Sequence, residues 1–62
     1  MKTGTQFKIM RIERDLTVRE VAKAIGVTKV TMYNVEANRT ENLRTYQKLA
    51  TYYGKELTIK LS

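Results

Sequence analysis

Apolar residues are spaced most regularly between residues 16 and 38, in two short stretches that flank a turn. The apolar positions of the first stretch, which recur at helical spacing, are Val21, Ala22 and Ile25. Thr17 stands just before this stretch and Glu20 follows it by three residues, which is the order of a capping box. The pattern therefore predicts a helix over about residues 18–25 with one apolar side.

A turn and a second helix follow directly. Gly26 is suited to end the first helix, because a helix C-terminus commonly needs a left-handed residue. Val27 is placed to fill the corner between the helices, and Thr28 is a favourable N-cap. The second helix, over about residues 29–36, is expected to turn one set of side chains inward, namely Met32, Val35 and Glu36. Its free face then carries Lys29, Val30, Tyr33 and Asn34.

The charge balance indicates what this free face is for. Twelve Lys and Arg against six Asp and Glu give the chain a charge of +6 at pH 7 and a pI near 9.9. Basicity alone also serves solubility, but a basic chain with this pair of helices favours duplex DNA as its partner. A length of 62 residues allows one domain with a small core.

Composition argues against other classes of function. The chain has no cysteine and no histidine, so it lacks thiolate ligands, disulfides and the commonest general base. No nucleophile has a basic partner, and we expect no enzymatic activity, no cofactor, no metal and no small-molecule ligand. No apolar run approaches the roughly 20 residues of a membrane span, and no signal peptide opens the chain. A cytoplasmic protein is expected.

Another amphipathic helix is predicted near the start of the chain, ending at about Asp15. Thr3 is in position to cap it, as part of a second capping box. Arg11 falls on the core-facing stripe with Phe7, and it needs a partner there because an unpaired buried charge is costly. Glu36, on the inner side of the later helix, is the natural candidate. We therefore expect a structural Arg11–Glu36 ion pair.

Two isoleucines of this helix lie away from the core. At 100° per residue, Ile9 and Ile12 are nearly opposite Phe7. Single exposed apolar residues are common and need no explanation. Two on one stripe make a second apolar face, which favours an interface with another chain.

In its ordered motifs the chain resembles the phage-repressor and Cro-like, Xre-type, helix-turn-helix regulators. The resemblance covers residues 4–54. It rests on the residue runs Gln6–Arg11, Leu16–Ala22, Ile25–Thr28 and Met32–Glu36, and on Leu43, Leu49 and Ala50. It implies a mainly α, four-helix, lambda-repressor-like DNA-binding domain whose recognition helix spans about residues 29–36.

The resemblance also implies which side chains touch DNA. The base-reading positions of the family match Lys29, Val30, Tyr33 and Asn34. The candidates for phosphate contact are Arg19, Thr28, Arg39 and Thr40. Lys29 is suited to guanine or to a phosphate, Asn34 to adenine, and Val30 to a thymine methyl group. Tyr33 is suited to a base edge or to the backbone.

A fourth helix is expected after a polar loop. Asn38 stands where the family usually has glycine, and asparagine is the next-best residue for a left-handed cap. Asn42 is expected to cap the fourth helix, and Gly54 to end it. The side chains expected to face inward are Leu43, Tyr46, Leu49, Ala50 and Tyr53. The tyrosines are interpreted as packing residues, and residues 1–54 as the DNA-binding domain.

The last segment, residues 55–62, changes period. Leu57, Ile59 and Leu61 alternate with polar residues, which is typical of a half-buried β-strand. A frayed tail is the alternative. Because a lone strand needs a partner, the pattern predicts antiparallel pairing across a two-fold axis, with Ile9 and Ile12 beneath it. Some antitoxin-type members of the family dimerise in this way.

Together these features predict a sequence-specific, double-stranded DNA-binding transcriptional regulator. We expect a repressor that binds a palindromic operator as a homodimer. The alternative is an antitoxin-type interaction module that binds a partner toxin and regulates its own operon.

Overall fold

The computed structural model describes the backbone of residues 2–61 and the side chains of residues 2–54. Over these residues the chain forms four helices, which pack around one small core. Their bounds are Thr3–Glu13 (α1), Val18–Ile25 (α2), Lys29–Glu36 (α3) and Leu43–Leu61 (α4). The bounds of α2 and α3 are those predicted from the hydrophobic pattern. The mainly α, four-helix prediction is therefore confirmed.

The α2–turn–α3 unit is determined by local hydrogen bonds. The Thr17 hydroxyl accepts from the Glu20 amide, and the Glu20 carboxylate accepts from the Thr17 amide, both at 3.0 Å. The hydrogen bond from the Thr17 amide, with a smaller contribution from the Thr17 side chain, favours the ionised carboxylate and lowers the pKa of Glu20. Gly26 has a φ of 75°, and the Thr28 hydroxyl caps α3 by accepting from the Thr31 amide at 3.2 Å. The predicted capping box, glycine stop and N-cap are all confirmed.

Aromatic rings join α1 to α4 in the core. The ring of Phe7 lies 5.7 Å from that of Tyr46 and 6.3 Å from that of Tyr53, between centroids. Leu49 and Tyr53 of α4 are almost fully buried, at 0% and 1% exposure. The two tyrosines therefore act as packing residues, as predicted. The other buried apolar side chains are Val18, Val21, Ala22, Met32 and Val35.

Asn38 connects the end of α3 to the start of α1. Its backbone is left-handed, with a φ of 61°, as predicted for a helix-ending asparagine. Its side-chain oxygen accepts from the Gly4 amide at 3.0 Å, and its side-chain nitrogen donates to the Thr5 hydroxyl at 2.9 Å. The prediction that Thr3 caps α1 is wrong, because α1 already includes Thr3 and takes its capping oxygen from Asn38.

Gly4 makes this close approach possible. A Cβ atom at Gly4 would overlap the carbonyl oxygen of Val35 and crowd the side-chain oxygen of Asn38. Only glycine brings the first turn of α1 this near to the last turn of α3 without displacing one of them.

The inward face of α4 differs in part from the prediction. Leu43 is 72% exposed and Ala50 is also exposed, whereas Thr45 is buried at 3% exposure. Thr45, Leu49 and Tyr53 follow one another at four-residue spacing, so the core-facing stripe begins at Thr45 rather than at Leu43. The predicted cap is confirmed, since the Asn42 side-chain oxygen accepts from the Thr45 amide at 3.1 Å.

The end of α4 also differs from the prediction. The helix does not stop at Gly54 but continues to Leu61, across the predicted domain boundary and over the segment predicted to be a strand. Glycine in a helix interior costs only about 1 kcal/mol, and no proline follows it. A single strand would leave its backbone groups unpaired, whereas a helix satisfies its own. The side chains of Leu57, Ile59 and Leu61 lie outside the described residues.

We expect the buried Tyr53 to make the fold sensitive to alkaline pH. Among the residues described, its hydroxyl has no hydrogen-bond partner. Burial raises the pKa of Tyr53 to about 12, and the carboxylate of Glu36 adds to this increase. An unfolded tyrosine ionises near pH 10, so from about pH 10 to 12 ionisation favours the unfolded state alone.

The free energy of unfolding should therefore fall by about 2–3 kcal/mol from this group over that range. Guanidinium denaturation between pH 9 and about pH 12 measures the fall. Tyr53→Phe is the control, because lysines ionise in the same range but are unchanged in the variant. An equally steep fall in Tyr53→Phe would show that Tyr53 does not cause it.

Candidate nucleic-acid interface

Helix α3 presents one face to the core and another to solvent. Met32 and Val35 are fully buried, whereas Val30 is 67% and Tyr33 57% exposed. Lys29 is exposed and Asn34 is half-buried. The structure thus places the four predicted base-reading side chains away from the core, on a helix only eight residues long.

A buried ion pair holds this helix in place. Arg11 Nε lies 2.8 Å from Glu36 Oε2, and Arg11 Nη2 donates to Glu36 Oε1 at 3.1 Å. Arg11 Nη1 also donates to the carbonyl of Leu16 at 2.8 Å. The side chains of Arg11 and Glu36 are 13% and 6% exposed. The hydrogen bond to Glu36 raises the pKa of Arg11 despite its partial burial. The predicted structural pair is confirmed.

Together with Asn38, this pair fixes α3 against α1 at two places. Gly4 and Arg11 are seven residues apart, which is about 10 Å along α1. Their partners are Glu36, the last residue of α3, and Asn38, which follows it by two residues in the turn. Two attachments on one helix restrain both the position and the rotation of α3, so its outer face has a fixed direction.

The side chains predicted to touch phosphates come before and after α3 in the sequence. Arg19 is exposed in the first turn of α2, and Arg39 and Thr40 are exposed in the loop after α3. The Thr28 hydroxyl lies 3.0 Å from that of Thr31 and also caps α3, so its acceptor capacity is partly used. Contact with a phosphate would need its remaining donor.

A surface cleft beside α3 brings in a cation that the sequence interpretation missed. The cleft has a volume of about 440 Å³ and is lined by Lys8, Arg11, Tyr33, Glu36, Ala37 and Arg39. Lys8 precedes Arg11 by three residues, so helical spacing already places the two on the same side of α1. That spacing was the available signal.

The second apolar face predicted on α1 is present at the surface. Ile9 is 38% and Ile12 54% exposed. Within the described part of the chain, no group of three or more acidic, histidine or cysteine side chains is placed to bind a metal ion. None of the helices over that part has the length and apolar character needed to cross a membrane.

Comparison with known proteins identifies a matching family and a sequence relative. Residues 7–60 match the family model described as helix-turn-helix. The chain is 41% identical over 52 residues to the cryptic phage CTXphi transcriptional repressor RstR of Vibrio cholerae. This alignment covers 82% of the chain and 47% of the repressor, so the chain spans about half the length of that relative. No solved structure gives a significant match.

Proposed function

Because the chain belongs to the Xre-type helix-turn-helix family, we propose that it is a sequence-specific DNA-binding transcriptional regulator, and not an enzyme. The observation that carries this proposal is the outer face of α3, which is turned away from the core, carries hydrogen-bonding side chains and is held against α1 through Glu36 and Asn38. The relationship to a phage repressor favours repression as the outcome of binding.

In this proposal α3 lies in the major groove and reads base edges. Asn34 binds adenine through its amide, and Lys29 donates to guanine O6 and N7 or to a phosphate. Val30 packs against a thymine methyl group. Its 67% exposure leaves the side chain available for such a contact.

The backbone contacts fix the register of α3 on the duplex. Arg19 meets a phosphate on one side, and Arg39 and Thr40 meet phosphates on the other. The amide groups at the start of α2 and α3, with the Thr28 hydroxyl, add to these contacts because helix N-termini favour anions. The charge of +6 supplies a general attraction to DNA.

We further propose that two chains bind a palindromic operator as a homodimer. One helix-turn-helix contacts few bases. When two copies are joined, binding of the first to its half-site holds the second at a high effective concentration near the other half-site. Ile9 and Ile12 are exposed at helical spacing, and they form part of the contact in this proposal. In this proposal the remainder comes from Leu57 and Leu61, which are four residues apart and so at the spacing of one helix face, by packing of helices rather than by strand pairing.

The test begins with selection of bound duplexes from a random pool. On the selected sequence, Asn34→Ala should lose about 1–3 kcal/mol of binding free energy, with a smaller loss on unrelated DNA. Fluorescence anisotropy on both duplexes measures the ratio, and an unchanged melting temperature shows that the fold is intact.

Arg39→Ala is the matched control for charge. It should weaken binding to both duplexes similarly and flatten the salt dependence by about one unit of slope. If Asn34→Ala retained the affinity and sequence preference of the parent chain, the outer face of α3 would not be the reading surface.

A further inference from the structure

The cleft between α1 and the end of α3 has an excess of positive charge. Of its charged side chains, Arg11 and Glu36 neutralise each other through two hydrogen bonds. Lys8 and Arg39 are exposed and have no ion-pair partner among the described residues. The cleft therefore carries two uncompensated cations, with the exposed ring of Tyr33 lining the same space.

These groups match the chemistry of a phosphodiester. A lysine supplies a compact charge with three donors, and an arginine supplies a planar fork that fits two phosphate oxygens. The Tyr33 hydroxyl adds a neutral donor. Because the one acidic group that lines the cleft is already paired, it does not repel an anion strongly.

The position of the cleft indicates where that phosphate comes from. Tyr33 belongs both to the cleft and to the outer face of α3, so the two surfaces are continuous. A DNA strand bordering the groove that α3 enters would pass over the cleft. Lys8 reaches the cleft from α1, outside the helix-turn-helix unit.

We propose that Lys8, Arg39 and the Tyr33 hydroxyl together bind one phosphate of the DNA backbone. This inference rests on the proposed DNA-binding function. It adds Lys8 to the contact surface and assigns Tyr33 to the backbone rather than to a base edge. The other two charged residues of the cleft, Arg11 and Glu36, position the site without binding the phosphate themselves.

The test measures affinity for a random duplex as a function of sodium chloride concentration. Loss of one phosphate contact lowers the slope of log affinity against log salt by about 0.9. Lys8→Gln should show this change in slope. The ratio of the affinity of the parent chain to that of Lys8→Gln should therefore shrink roughly 3–4-fold from 50 to 200 mM salt. Lys48→Gln is the matched control, since Lys48 is an exposed lysine in a separate groove between α2 and α4.

Tyr33→Phe tests the third group. It removes only the hydroxyl, so it should keep the salt slope of the parent chain and weaken binding to random and selected duplexes by the same few-fold factor. A loss confined to the selected duplex would mean that Tyr33 reads a base, which overturns its assignment to the phosphate.

The other outcomes separate the two proposals. If the parent chain fails to bind any duplex, the proposed function is wrong, and this inference fails with it. If Arg39→Ala flattens the salt dependence but Lys8→Gln behaves like Lys48→Gln, only this inference is wrong. If millimolar inorganic phosphate at constant ionic strength raises the melting temperature of the parent chain but not that of Lys8→Gln, while the two chains bind DNA with the same salt slope, the cleft is a free-phosphate site and the inference is overturned.

Discussion

Replacing Glu36 with alanine is expected to lower the free energy of unfolding by about 3–5 kcal/mol. The Glu36 side chain is 6% exposed, and its carboxylate accepts hydrogen bonds from Nε and Nη2 of Arg11. Its removal therefore leaves a largely buried guanidinium without its counter-charge. A domain of this length has a total stability of about 3–9 kcal/mol. The single change should therefore unfold a large fraction of the molecules, which urea denaturation followed by circular dichroism measures.

Two further variants show whether the loss arises from the buried pair. The double replacement Arg11→Met with Glu36→Met should cost less than Glu36→Ala, because neither charge is then left unpaired. Some loss remains, since the Leu16 carbonyl loses its donor. The control is Glu13→Ala, which removes an exposed acid of α1 and should change the free energy of unfolding by less than about 0.5 kcal/mol. Small and equal losses for all three would contradict a buried, orienting pair.

Deleting residues 55–62 is expected to lower affinity for the selected palindrome by about 10²–10⁴-fold. The deletion removes the last turns of α4 and keeps Tyr53 and the other core members found among residues 2–54. The remaining helices should stay folded and become monomeric. A second chain must then bind the other half-site from bulk solution, where its concentration is low. Sedimentation velocity and anisotropy on the same preparation measure both effects.

The isoleucines of α1 test the same interface from its other side. Ile9→Lys with Ile12→Lys should also give a monomer, because a charged face opposes apolar contact. Leu43→Lys is the control, since Leu43 is the most exposed large apolar residue described, yet no dimer contact is assigned to it. A truncated chain that still sediments as a dimer would place the interface elsewhere.

The helix-turn-helix unit could be predicted from sequence because its signals are local. The box formed by Thr17 and Glu20, the left-handed Gly26 and the cap at Thr28 each act within a few residues. The Arg11–Glu36 pair spans 25 residues, but a charge on an apolar stripe demands a partner, and few acids lie on inner faces. These features follow from chemistry that the sequence displays directly.

Other features depend on distances that the sequence does not display. Asn38 caps α1 from 34 residues away, and no local pattern indicates that α1 lacks a cap of its own. The period-two pattern after Gly54 is typical of a strand. A strand, however, needs a second strand to pair with its backbone, whereas the continuing helix needs none. Nothing in the sequence distinguishes Lys8 from an ordinary surface lysine. Only the packing of α1 against α3 brings it into the same cleft as Arg39.

Methylation interference shows directly whether α3 reads duplex DNA from the major groove. Dimethyl sulfate methylates guanine N7 in the major groove and adenine N3 in the minor groove. The selected duplex is methylated sparsely, mixed with the protein, and separated into bound and free DNA. We expect the bound DNA to lack N7-methylated guanines at the centre of each half-site, with little effect from adenine N3. Interference confined to adenine N3, with N7-methylated guanines fully tolerated, would mean that α3 does not read the major groove.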